Sequence, residues 1–170
     1  MEKIDENMAF GLTAPLPYVL ITSLDKLGKP NAMGAAWVTR VSMSPPLIMV
    51  SIAPQRYSHK GIEFNKEFVV CYPSVGQEKG ALICGTKTGR DGDKFAKAGL
   101  SVVPSLKVKP PTIKDSTVAF ECKVVDTFVA GDHTLFIGEV VATTGTLNKE
   151  KHLFGTSKFK LFAMDESGKQ

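Results

Sequence analysis

The stretch Gly131-Asp132-His133-Thr134-Leu135-Phe136-Ile137-Gly138-Glu139-Val140-Val141-Ala142-Thr143-Thr144 decides the fold class. Gly131-Asp132 has turn chemistry, and from Thr134 onward β-branched and aromatic residues dominate, the composition of a long strand. Gly138 inside that run marks a bulge or bend. Upstream, Phe120, Cys122 and Val124 alternate with Glu121, Lys123 and Val125, the two-residue period of a strand with one wetter face. The last third of the chain therefore reads as sheet.

The first third repeats this character. Residues 18–24 read Tyr-Val-Leu-Ile-Thr-Ser-Leu, turn residues follow at 25–30, and a second run covers 31–41, with small residues ahead of Trp37-Val38-Thr39. Those small residues let another group approach the backbone closely. Pro45-Pro46 stops any helix, and residues 47–52 form a third, nearly all-apolar strand. Between the two sheet-rich thirds, Ser58 can cap a short helix running to Asn65, with Ile62 facing away from solvent. Residues 68–72 return to strand. Helical patches follow at 75–83 and 91–98, the second closed by Gly99, and 107–111 is a proline-bearing crossing segment. Six or seven strands with few, short helices predict a mainly β protein, a closed antiparallel β-barrel with small helical insertions.

Composition bounds the function. The chain has 170 residues and a mass of 18.4 kDa, which suits one domain and excludes two full catalytic domains. Apolar residues at 43% and charged residues at 22% are enough for a real core. The uncharged run at 41–54 is broken by prolines and too short to span a bilayer, and the acidic, polar opening Met1-Glu2-Lys3-Ile4-Asp5-Glu6 is unlike a secretory signal. A cytoplasmic location with no membrane association is expected. The formal charge is +4, but Lys and Arg are dispersed, a weak footprint for nucleic acid and a better one for a small anionic ligand. Cys71, Cys84 and Cys122 are far apart and read as buried, reduced thiols.

Several motifs fail on inspection. The string from Gly80 to Thr88 nearly spells a phosphate loop, but Thr86 separates Gly85 from Lys87 and puts the Lys out of register. No dinucleotide-binding glycine fingerprint and no nucleophile elbow occur, and His59, His133 and His152 lack the spacing of metal ligands, so no metal is expected. What remains is Ser51-Ile52-Ala53-Pro54-Gln55-Arg56-Tyr57-Ser58-His59-Lys60, where a strand hands over to a helix. Free N–H groups, hydroxyls and cations at a helix start suit a phosphate. A solvated connector with a helix cap fits the same residues. On pattern alone, His133 is a surface turn residue, Trp37 a core residue and Lys94 a solvated one.

Four stretches taken together change that balance. They are Asn31-Ala-Met-Gly-Ala-Ala-Trp37-Val-Thr39 with Ser44-Pro45-Pro46-Leu47; Tyr57-Ser58; Gly89-Arg90-Asp91-Gly92-Asp93-Lys94-Phe95 with Ala98-Gly99-Leu100; and Ala130-Gly131-Asp132-His133 running on to Val140. In this order and spacing the chain resembles the flavin reductase-like family, whose members have an FMN-binding split β-barrel of antiparallel, Greek-key type, and most closely its flavoredoxin-type branch. The resemblance runs from about Pro15 to Val141. It implies a single domain over residues 1–170, with a core at about 15–148 and a C-terminal arm at 149–170.

The resemblance also implies a site. Asn31 and Trp37 would lie along the flavin, and Val38 and Thr39 would offer backbone groups to its pyrimidine side. Ser51, Ile52 and Ala53 would pass under the ribityl chain, and Arg56, Ser58, His59 and Lys60 would meet the phosphate. Lys94 would touch the flavin edge and His133 the ring face, beside an incoming nicotinamide. Phe159 would cover the ring, with Phe162 as the alternative. The implied activity is an FMN-binding oxidoreductase that takes hydride from NADH or NADPH onto flavin N5 and passes electrons to an acceptor, with FAD as the alternative flavin. An electron carrier reduced by a protein partner and a non-enzymatic flavin-binding module are the competing readings. The family is dimeric, so a homodimer is expected, with the insertions at 75–100 as its contact arm.

Overall fold

The structure, a computed structural model, describes residues 1–146, 151–156 and 160–164. The chain begins with α1 (Glu6–Leu12) and the short β1 (Leu16–Pro17), followed by β2 (Val19–Leu24), β3 (Pro30–Ala35), β4 (Val38–Met43) and β5 (Pro46–Ile52). Next come α2 (Tyr57–Asn65), β6 (Glu67–Tyr72), α3 (Glu78–Thr86) and α4 (Lys94–Ala98). The two-residue strands β7 (Val102–Val103) and β8 (Thr112–Ile113) precede the long pair β9 (Val118–Ala130) and β10 (His133–Gly145). β11 (His152–Gly155) and β12 (Leu161–Met164) complete the described elements.

Seven strands form one antiparallel sheet in the order β3-β2-β6-β9-β10-β5-β4. Its edge strands, β3 and β4, are consecutive in the chain and separated only by Ala36 and Trp37. Laid flat, the edges of such a sheet stand about 28 Å apart at about 4.7 Å per strand. Three Cα steps reach at most about 11 Å. The sheet must therefore curl until its edges meet, and the step through Ala36-Trp37 crosses the open seam. This is a split barrel, and the passage from β5 through α2 to β6, over β10 and β9, is its Greek-key step.

Both faces of β2 and β6 are covered, which is why they read as almost continuous apolar runs. Val19, Ile21, Phe68 and Val70 point inward to Val50, Ile52, Cys122 and Phe136. Leu20, Val69 and Cys71 point outward to a second core built with Ala81 and Cys84 of α3, Phe95 of α4, and Leu153 of β11. The helices at 75–100 thus pack onto β2 and β3. Burial pushes the three free thiols up, Cys71 and Cys122 to about 12 and Cys84 to about 11.

The turn at Gly131-Asp132 and the irregularity at Gly138 stand where expected: the register shifts between Ile137 and Gly138, and a Cβ on Gly138 would strike the Phe68 ring. Gly99 caps α4 with φ 63. Five expectations need correction. The run at 31–41 is two strands, because the chain changes sheet edge at Ala36-Trp37. The first third holds five strands, not three. Arg56 is the N-cap of α2, which leaves Ser58 inside the helix, its hydroxyl accepting from Asn31. The N-terminal helix α1, capped by Asp5, was not anticipated. Finally, Glu121 is fully buried, because the segment after β7 folds over that face and donates the N–H groups of Leu106 and Lys107 to its carboxylate at 2.8 and 2.6 Å. Among the described residues no helix is long and apolar enough to cross a membrane.

Candidate functional site

A cavity of about 690 Å³ lies where β3, the start of α2, the end of α3 and the tip of β10 converge. That volume falls within the roughly 300–1,000 Å³ of small-molecule and cofactor sites. The end of β3 and the residue after it, Gly34, Ala35 and Ala36, border the cavity with small residues, beside Asn31 and Met33. At Gly34 smallness is obligatory: a Cβ there would collide with the Tyr18 hydroxyl and come 2.9 Å from the Gly85 Cα. This close approach fixes the end of α3 against β3 and makes the following residues, Thr86 to Arg90, the facing wall. Tyr18 donates to the Ala81 carbonyl at 3.4 Å, and burial pushes its hydroxyl up to about 12.

One end of the cavity is built for negative charge. No side chain caps the first turn of α2, whose His59 N–H donates to the Arg56 carbonyl at 3.1 Å, so the partial positive charge of the helix start is not offset by a capping oxygen. Arg56, Lys87, Arg90 and Lys94 line the same cavity, and no Asp or Glu does among the described residues. Lys94 is buried, with Nζ donating to the Cys84 carbonyl at 2.7 Å. Burial lowers its pKa, only partly countered by Cys84. Among the described residues no carboxylate pairs with it. A desolvated ammonium without a counter-charge is costly unless a ligand brings one.

At the other end Trp37 and His133 meet, ring centroids 4.7 Å apart and tilted by 44°. His133 Nδ1 lies 2.6 Å from the Asp132 carboxylate, which holds that carboxyl below its ordinary pKa. Trp37 is 56% exposed, so it is wall and not core, and Lys94 is buried where pattern alone reads it as solvated.

Of the residues singled out from sequence, Asn31, Trp37, Ser51, Ile52, Ala53, Arg56, Ser58, Lys94 and His133 line this one cavity. Four do not. Val38 and Thr39 line a second cavity of about 450 Å³ with Tyr72 and Phe120. His59 is buried behind the wall, its Nε2 2.8 Å from Thr134 Oγ1 and its ring edge-on to Phe136, and burial lowers its pKa. It ties α2 to β10. Lys60 is exposed on α2, away from the cavity. Phe159 lies outside the described residues, and Phe162 stacks on Phe154 at 6.2 Å.

Sequence reasoning missed Lys87 and the flanking Thr86 and Thr88. They belong to the failed phosphate-loop string, whose hydroxyls and cation serve the cavity without that motif's geometry. It also missed Asn7, Phe10, Gly11 and Ala14. Asn7, Phe10 and Gly11 share one face of α1 by their spacing, which was readable, and Ala14 follows the helix; what that face covers was not.

The sequence pattern of the flavin reductase like domain matches residues 12–161. An uncharacterized protein of Pyrococcus abyssi is 46% identical over 114 residues, covering 67% of this chain and 65% of that protein. A Streptomyces globisporus protein named NADH-dependent FAD reductase is 30% identical over 81% of this chain and 75% of its own length. The crystal structure of a flavoredoxin from Methanosarcina acetivorans superimposes with a TM-score of 0.86 at 27% identity, covering 98% of this chain and 92% of that one. A seven-stranded antiparallel sheet curled until its edges meet, with a cavity at the seam, defines a split β-barrel. The chain belongs to the flavin reductase-like family.

Proposed function

We propose that the cavity binds FMN and that the protein is an NAD(P)H-dependent flavin oxidoreductase, passing electrons from a reduced nicotinamide through the flavin to an acceptor. The observation that carries this reading is the polarity of the cavity. Four cations and the start of α2, which no side chain caps, lie in a chamber that no Asp or Glu lines among the described residues and that Gly34, Ala35 and Ala36 border with small residues. A phosphate at one end and a planar ring along the other satisfy both halves. Flavin, when bound, supplies the hydride-accepting ring and the two-electron chemistry.

The chain's own groups hold and tune. Arg56 and the first-turn N–H groups of α2 bind the phosphate, and Ser58, fixed by Asn31 at 2.8 Å, stands beside them. Lys94 keeps a positive charge against the ring edge, where it favours negative charge on the ring. His133, oriented by Asp132, and Trp37 border the mouth through which a nicotinamide arrives. An electron carrier served by a protein partner is the second reading, favoured by the likeness to a flavoredoxin across nearly the whole chain. Exposed Val41 and Met43 on β4, with Val125, Phe128 and Val129 on β9, are apolar surface that supports a homodimer, measurable by light scattering.

Anaerobic stopped-flow mixing of the flavin-loaded protein with NADH and with NADPH tests the activity. Flavin absorbance bleaches with at least one of them, and His133→Ala slows that bleaching more than it weakens flavin binding. No bleaching with either nucleotide favours the carrier. Equal loss of rate and binding, or no loss, removes His133 from the role given to it.

A further inference from the structure

The charged end of the cavity is crossed by one side chain to which the flavin reading assigns no part beyond its charge. Arg90 donates from Nη2 to the Gln55 carbonyl at 3.3 Å and from Nη1 to Thr88 Oγ1 at 3.4 Å. Its guanidinium carbon lies 5.7 Å from the centre of the Tyr57 ring. The Tyr57 hydroxyl donates to Asp25 Oδ2 at 2.9 Å, and Asp25 Oδ1 accepts from the N–H groups of Leu27 and Lys29 at 2.8 and 2.9 Å. Gln55 and Tyr57 stand on one wall, Thr88 on the other. The guanidinium therefore bridges the two walls and is backed from outside by a ring and a carboxylate that are themselves fixed.

We infer that Arg90 is a clasp that makes the site selective for a flavin ending in a phosphate monoester, FMN, over one that continues through a diphosphate, FAD. The inference rests on the flavin reading above and adds a specificity element to it. Charge is the first reason. A phosphate monoester carries about −1.5 to −2 at neutral pH, on terminal oxygens that accept from several donors, whereas each phosphorus of a dinucleotide bridge carries one charge. Arg90 has five N–H donors by its chemistry, and the two bonds to Gln55 and Thr88 leave others to meet a terminal phosphate. Space is the second reason. An adenylyl extension would leave through the gap between Gln55 and Thr88, which the guanidinium spans, so it must break the Arg90–Gln55 bond and displace the cation from the Tyr57 face.

The test is a fluorescence-quenching titration of FMN and of FAD into the wild-type protein, Arg90→Ala and Arg90→Lys, with a thermal melt of each. The wild type binds FMN at least about tenfold more tightly than FAD. Arg90→Ala narrows that ratio to within about threefold, by losing FMN affinity while FAD affinity is kept or raised. Arg90→Lys keeps a charge but not the planar fork and narrows the ratio part of the way. Equal affinities in the wild type, or equal loss of both flavins in Arg90→Ala, overturn the clasp and leave the flavin reading standing. Failure of the wild type to bind either flavin overturns both. Arg90 is exposed, so the alanine variant is expected to melt close to wild type. Should it melt early, Arg90→Lys decides, and a ratio unchanged from wild type overturns the clasp.

Discussion

Lys94 shows what burial does to a single residue. Lys94 is 4% exposed, lines the cavity and has a carbonyl as the protein partner of its ammonium. Burial lowers the pKa, so between that lowered value and the ordinary one near 10.4 the unfolded chain binds more protons than the folded one. The stability of the flavin-free protein therefore rises with pH through that window, and the slope is expected to vanish in Lys94→Met. The same variant, measured at neutral pH, melts no lower than wild type but binds flavin about tenfold or more weakly. A lower melting point without a change in binding contradicts the role given to Lys94. Glu121 is the opposite case, a buried carboxylate that is satisfied. Glu121→Ala leaves the N–H groups of Leu106 and Lys107 without their acceptor. A loss of about 2–4 kcal/mol in denaturant unfolding is expected, with flavin affinity unchanged once folded. The burial of neither residue was legible in the local sequence pattern, although the family resemblance had already placed Lys94 at the site. Lys94 sits in a charged patch and Glu121 in a strand of alternating polarity, and only long-range packing buries them.

Among the elements, α2 separates what position in sequence and position in space each reveal. The run from Arg56 to Lys60 was readable as an anion site because cations and hydroxyls cluster at a helix start. The helix then sorts them by angle: Arg56 and Ser58 face the cavity, His59 turns into the core and Lys60 into solvent. Successive residues on a helix point in different directions, so a five-residue polar string cannot all serve one ligand. Arg56→Ala is expected to weaken FMN about tenfold in an equilibrium titration, the scale of one charge-assisted contact. Lys60→Ala is expected to stay within about twofold of wild type. Equal losses would put the phosphate on the outer face of α2. The strands were legible as β, since β-branched and apolar residues dominate them; their order in the sheet was not.

For the whole molecule, closure of the barrel makes the site. The two residues Ala36 and Trp37 carry the chain from one edge of the sheet to the other. This brings Trp37 to His133 at the mouth and lays β3 under the cavity. The sequence pattern predicts a barrel by strand count and shortness of helices, but the seam depends on which strands pair, and pairing is set by register over long separations. Each of the four stretches that carry the family likeness sends residues to the cavity, among them Asn31 and Trp37, Ser58, Arg90 and Lys94, and His133, which is why the site was legible in outline. Lys87 and the cavity-facing side of α1 were not, because nothing local marks what they face.

The central claim is that this chamber holds FMN, and titration of the flavin-free protein with FMN tests it most directly. The account predicts saturable quenching of flavin fluorescence and a higher melting temperature. At FMN about a hundredfold above its Kd the folded state gains about 2.7 kcal/mol, a rise of roughly 5–10 °C for a chain of this length. Unquenched fluorescence together with an unmoved melting temperature at micromolar FMN would contradict it.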